Sequence, residues 1–323
     1  MTTIGKPVQH SALLIAIAVA LLSACDSSTP DPYNDDTPTS GHALILADED
    51  LRSIVDAEKQ VFESIYTKAT IEVRYLPEAT LLKAMMNDSV RCVIATVKSG
   101  AEQEAFFAKR RIEAHVIPIC MDGIAVVVNK ARRTDALSIA SLRRLLTEGH
   151  TEPSSSAMDS IMGIVWYKVL QVPLVSGSGS GVARTLVDSV LRADGVPLRA
   201  QALHTVDQVI TSVKENPDHV GFIPFAAISD LDNPRTRALR DQVKLLPIAR
   251  TDTSRAVLPS QSTLADGSYP LRREVYMILA EGKSGLGTGF VSFVANHKGQ
   301  RIILKLGIAP HKVPAREVEI VHQ

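Results

Sequence analysis

The residues that can do chemistry here are acids, small hydroxyls and one glycine-rich turn. The run PLVSGSGSGVARTLVDSV, residues 173–190, alternates glycine with serine, Ser178 and Ser180 among them, and ends its turn at Gly181. An apolar strand-like segment precedes it, and Val182, Leu186, Val187 and Val190 recur behind it at helical spacing. A strand-to-helix turn of this kind gathers unpaired backbone N–H groups, a helix dipole and hydroxyls at one point, which suits an anion. The competing reading is a flexible serine-glycine linker.

Asp48 and Asp50 follow the apolar run 43–47 and stand before a helix that begins at Leu51. They either cap that helix or turn their carboxylates toward a ligand. Asp122 separates the apolar runs 116–120 and 123–129, where it either forms a turn or accepts hydrogen bonds at a cleft. None of the nine histidines has metal-ligand spacing, and no cofactor is expected. Gly179 stands where a nucleophile elbow needs serine, and Val182 where a dinucleotide loop needs its third glycine. No catalytic residue is identified, so an enzyme is not expected. A hydrolase assembled from residues distant in sequence stays as a minor alternative.

The elements that must position these groups alternate strand and helix. Strands are expected at 43–47, 71–75 and 91–96, with helices from 51, over 77–86 and over 101–111, which predicts a parallel sheet with its polar corners on one edge. Helix 51–65 is apolar on one face except at Glu58. Thr96 begins the turn TVKSG, which also carries Lys98. Further strands are expected at 116–120, 123–129, 172–175, 219–224, 243–248 and 274–280, helices at 138–147, 206–214, 285–294 and 300–306, and a charged surface excursion at 230–241.

Lysine plus arginine and aspartate plus glutamate balance at 35 each without a basic stripe, so nucleic acid is not an expected partner. Residues 12–22 form an apolar run too short to span a bilayer comfortably, and Leu22-Ser23-Ala24-Cys25 resembles the bacterial lipobox. That motif implies cleavage before Cys25 and a lipid on its thiol; a buried cysteine ending a core helix is the alternative. Residues 26–40 are rich in Pro, Asp, Ser and Thr and read as a tether. Cys92 and Cys120 read as separate core thiols, with one disulfide as the alternative.

With these elements placed, the chain resembles the phosphate-type (PstS-like) ABC-transporter substrate-binding proteins of the type II periplasmic-binding-protein superfamily, most closely the lipoprotein form of Bacteroidota. The resemblance spans about residues 43–319 and is carried by DEDLRSIVDAEKQVFE, LPEATLLKAMMNDS, VIATVKS, MDGIAVVVN, SGSGVAR, VGFIPF, YPLRREVYMI and GLGTGFVSFVANHKGQRIILKLGIAP.

It implies a signal peptide at 1–24, a tether at 25–41, and two α/β lobes, 42–118 plus 227–323 and 119–226. Each lobe would have a mostly parallel sheet flanked by helices, with hinges near 119–123 and 222–226. It further implies capture of inorganic phosphate or a similar oxyanion in the cleft and delivery to an ABC-transporter permease by a monomer anchored at the periplasmic membrane through Cys25. Carried over residue by residue, the ligand contacts fall near Asp48 and Asp50, on Thr96, Asp122, Ser178, Ser180 and Gly181, and on Arg184. Asp50 replaces the family's usual serine and Val97 its usual arginine, leaving Lys98 as the substitute cation; a binding module of this family with a changed or lost small ligand is the alternative.

Overall fold

The strand that joins the molecule's two halves is β4, and the other elements are arranged on either side of it. The structure, a computed structural model, describes residues 36–87, 90–148, 172–192, 195–281 and 284–313. The expected signal peptide, Cys25 and most of the expected tether lie outside the described residues.

The main strands are β1 (Ser40–Asp48), β2 (Lys68–Leu76), β3 (Val90–Ala95), β4 (His115–Val128), β5 (Val172–Ser176), β6 (Gln201–Leu203), β7 (His219–Pro224) and β8 (Arg272–Leu279). They form one sheet in the order β2-β1-β3-β8-β4-β7-β5-β6, with two-residue strands Lys244–Leu245 and Ala309–Pro310 added on β4. Pairing is parallel at β1–β2, β1–β3, β5–β7 and β5–β6. It is antiparallel at β3–β8, β8–β4 and β4–β7, so both halves are parallel at their outer strands and antiparallel where they meet.

The helices are α1 (Arg52–Ile65), α2 (Glu78–Ala84), α3 (Ala101–Lys109), α4 (Ile139–Glu148), α5 (Gly181–Leu186, continued as a π-turn over Val187–Leu191), α6 (Val206–Glu215), α7 (Pro234–Arg240), α8 (Gln261–Ala265), α9 (Leu286–Ala295) and α10 (His297–Lys305). Leu51, Ile54, Val55 and Phe62 bury the α1 face in the main core, where Phe62 meets Phe290 edge-on at 5.3 Å. Leu46, Leu81, Met85, Val93 and Phe107 form a second cluster with α2 and α3 on the opposite face of the same sheet. The alternation of β1 between Ile45 and Leu46 therefore serves two cores.

Three expectations about elements are corrected. The two strands expected around Asp122 are one fourteen-residue strand, β4, because Asp122 finds buried partners within the sheet and no turn is needed. The excursion at 230–241 contains α7, opened by Asn233, whose Oδ1 accepts from Arg235 and Thr236 N–H, with Pro234 in the first turn. The strand expected at 243–248 is split into Lys244–Leu245 and Ile248–Ala249 by Pro247, which has no N–H to give a ladder. At the other end, β1 starts at Ser40, inside the expected tether, and Asp36 Oδ1 accepts Leu286 N–H at 2.6 Å to cap α9. Cys92 and Cys120 are free and buried.

Candidate functional site

The glycine-rich turn docks against the end of β1. Asp48, the last residue of β1, is fully buried, and its Oδ2 accepts the Gly181 N–H at 2.9 Å. Asp50 lies in the short 3-10 turn Glu49–Leu51; its Oδ1 accepts from Ser176 Oγ at 2.6 Å and its Oδ2 from Val182 N–H at 2.8 Å. Both aspartates thus reach from one half of the molecule to the other. Asp48 also takes the capping role, through a longer bond from Asp50 N–H to Oδ1 at 3.4 Å.

A third acid completes the junction. Glu78, at the start of α2, accepts from both Thr96 N–H and Thr96 Oγ1 at 2.6 Å through Oε1, and pairs through Oε2 with Arg184 Nε at 2.5 Å. Arg184 Nη2 also donates to Thr96 Oγ1 at 2.8 Å, and Nη1 to Asp188 at 2.6 Å. A main-chain bond from Ala79 N–H to Gly179 O, 3.1 Å, closes the same seam.

Beneath them, Asp122 and Arg273 are buried opposite each other on β4 and β8. Asp122 Oδ2 accepts from Arg273 Nη2 at 3.0 Å and Nε at 3.2 Å, and Oδ1 accepts Ala226 N–H at 3.0 Å. Arg273 Nη1 is 3.7 Å from Asp50 Oδ2 and makes no hydrogen bond. A Cβ added at Gly181 would stand 2.3 Å from Asp48 Oδ2, 2.9 Å from Thr96 Oγ1 and 3.1 Å from Arg273 Nη1, so these groups converge on one point.

Electrostatics follow from this crowding. Burial, reinforced by Asp50 and Glu78 and opposed by Arg273, pushes the Asp48 carboxyl up to about 8. Burial also raises Asp122, although Arg273 and the Gly123 and Ala226 N–H groups pull it back. Burial pulls the Arg273 guanidinium down, but Asp122, Asp50 and Asp48 together hold it above its usual value. Four carboxylic acids therefore share two guanidinium groups.

Of the residues singled out from sequence, the structure gathers Asp48, Asp50, Thr96, Asp122, Gly181 and Arg184. Ser180 is buried but its hydroxyl accepts from Ala183 N–H within its own helix. Ser178 is exposed at the turn. Lys98 is exposed with Nζ 5.0 Å above the Tyr276 ring, so it does not replace a cation beside Thr96. Glu78, Ser176 and Arg273 join the site without having been singled out. Among the described residues, no group of three His, Cys, Asp or Glu side chains is placed to hold a metal ion, and no helix is long and apolar enough to cross a membrane.

Residues 34–298 match the family model for the PBP superfamily domain, and the chain belongs to that superfamily. It is 26% identical over 134 residues to the phosphate-binding protein PstS 2 of Streptococcus pneumoniae, an alignment covering 40% of this chain and 40% of that protein. A second relative, protein SphX of Synechococcus elongatus, is 21% identical over 98% of this chain and 89% of its own length. The fold is similar to a phosphate ABC-transporter substrate-binding protein with bound phosphate from Clostridium perfringens, with TM-score 0.66 and 17% identity over 84% of this chain and 100% of that one. It is likewise similar to an ABC-type phosphate transport receptor from Vibrio cholerae, with TM-score 0.61 and 14% identity over 84% of this chain and 100% of the other.

Proposed function

We propose that this protein is an extracytoplasmic substrate-binding protein that captures inorganic phosphate, or a closely similar small oxyanion, between two lobes and delivers it to an ABC-transporter permease. The observation that carries this reading is the convergence on one buried point of Gly181 N–H and Val182 N–H, the Ser176 and Thr96 hydroxyls, and the Arg184 and Arg273 guanidinium groups. Each of these donors except Arg273 is held by an oxygen acceptor in that geometry, which is what binding an oxyanion demands. Membership of the PBP superfamily and the phosphate-binding relatives support it.

Asp122, bonded to Ala226 N–H, ties together the two strand crossovers on which the lobes would hinge, 119–123 and 222–226. No catalytic step is assigned to the site. Cys25 is the proposed lipid-bearing residue, with the following tether holding the domain at the membrane as a monomer.

Calorimetric titration of the tether-cleaved protein with phosphate, sulfate and other small anions tests this. Saturable one-to-one binding of phosphate that is lost in Gly181→Val is the expected result. No heat and no thermal stabilisation with any oxyanion would overturn it.

A further inference from the structure

The acceptors now held by the anion-site donors all belong to the chain. Gly181 N–H and Val182 N–H donate to Asp48 and Asp50, Ser176 Oγ donates to Asp50, and Thr96 and Arg184 are held by Glu78. These carboxylates come from the β1 end and the start of α2, whereas Ser176, Gly181, Val182 and Arg184 come from the β5 end and α5. We propose that Asp48 and Asp50 are a built-in stand-in for the anion: they latch the cleft shut through the donors the ligand would use, and an anion binds by exchanging with them.

This rests on the oxyanion reading above and deepens it. Two features favour an exchangeable stand-in over a permanent strut. The stand-in is incomplete, because Arg273 Nη1 is buried beside Asp50 without a hydrogen bond, although Asp122 satisfies the rest of its guanidinium. A tetrahedral anion brings more acceptor oxygens than a carboxylate arm and can reach that free N–H as well. The stand-in is also crowded, since Asp48, Asp50 and Glu78 face one another around two guanidinium groups and the crowding drives Asp48 toward its protonated form, a weaker acceptor than an anion. Releasing the aspartates to solvent ends that crowding and offsets part of the cost of exchange. The consequence is a cleft held closed without any anion, and an affinity that reports the difference between two sets of hydrogen bonds.

A cysteine pair across the seam reads the latch directly. Gly179 and Ala79 already share a main-chain hydrogen bond, and a Cβ at Gly179 would stand 3.4 Å from that of Ala79, close to disulfide geometry. Cys92 and Cys120 are fully buried, with burial pushing both thiols up, so they do not compete, and Cys25→Ser removes the remaining native thiol. The full-length protein carrying Ala79→Cys and Gly179→Cys is exposed to a mild oxidant in phosphate-free buffer, with and without Asp48→Ser plus Asp50→Ser. Crosslinking should be fast with the aspartates present and slow by about tenfold or more without them, the change expected from losing charge-assisted bonds between the halves.

Adding inorganic phosphate should restore the rate in the aspartate-free protein. If the aspartates speed crosslinking and neither phosphate nor sulfate restores it in their absence, the latch stands and the phosphate reading fails. If the rate with the aspartates present is slow until phosphate is added, the phosphate reading stands and the latch is overturned. Equal rates with and without the aspartates also overturn it. Should the double serine variant not fold, Asp48→Ser alone leaves Asp50 with its partners, and a slowing of about threefold or more supports the latch.

Discussion

Asp122 and Arg273 are direct cross-strand neighbours on β4 and β8, both buried, with Arg273 Nη2 3.0 Å from Asp122 Oδ2. They stand where the two halves of the sheet join, two residues before Ile124, at which β4 changes partner from β8 to β7. The pair thereby fixes the floor of the site and aims the remaining guanidinium N–H at Asp50.

Removing one member strands buried charge. Arg273→Met should destabilise the protein by about 3–5 kcal/mol in denaturant titrations, because Asp122 and Asp50 lose their counter-charge. Asp122→Asn combined with Arg273→Met should recover part of that loss. If the two substitutions are additive in a double-mutant cycle, the pair is not coupled as described.

Much of the molecule was legible in its sequence where the signal was local. The apolar run of β1, the apolar face of α1 and the glycine turn before α5 can be read within a few neighbouring residues. Six residues of the site could be singled out, but not who pairs with whom, because the bonds join positions far apart in the chain: Asp122 meets Arg273 across 151 positions, Gly181 meets Asp48 across 133, and Arg184 meets Glu78 across 106. Glu78 behind Pro77 reads as an ordinary first-turn acid, and Asp48 does cap locally while its other oxygen crosses the cleft. Arg273 lies in YPLRREVYMI, where alternation alone cannot separate it from its exposed neighbour Arg272.

Gly181 has no room for a side chain where the two halves meet. An added Cβ would meet the Asp48 carboxylate at 2.3 Å and Thr96 Oγ1 at 2.9 Å, both held by bonds of their own. Gly181→Ala should therefore wedge the halves apart at a cost of about 1–3 kcal/mol and enlarge the radius of gyration in solution scattering. An unchanged radius together with unchanged phosphate affinity would place the seam elsewhere.

The segment before β1 is anchored by a second close approach. A Cβ at Gly289 would stand 1.7 Å from the Pro38 carbonyl oxygen, and Asp36 caps α9 at Leu286 N–H. Asp36→Ala should cost about 0.5–2 kcal/mol of stability and speed proteolysis ahead of β1. Gly289→Ala should do so more strongly, since no side-chain rotation relieves a clash with main chain. Equal protease resistance in both variants would show that the segment is not held there.

Stability should fall as pH rises from mild acid into the alkaline range, and Glu58 should be one of its main causes. Its side chain lies on the buried face of α1, neither carboxyl oxygen has a hydrogen-bond partner, and burial pushes it up to about 9. Asp48 moves the same way, to about 8. Because the folded carboxyls keep their protons at pH values where the unfolded chain has released them, the folded state binds more protons between the unfolded and folded pKa values. The contribution is then fully present below about pH 4 and is lost as pH rises through about 8 to 9, with a slope approaching about 1.4 kcal/mol per pH unit for each group. Thermal melts from pH 5 to 9 should show a steadily decreasing Tm. Glu58→Met, which keeps the volume and removes the ionisable group, should raise Tm at pH 8 and flatten the profile, leaving the Asp48 portion. A Glu58→Met profile as steep as the parent's would mean that Glu58 is not the titrating group.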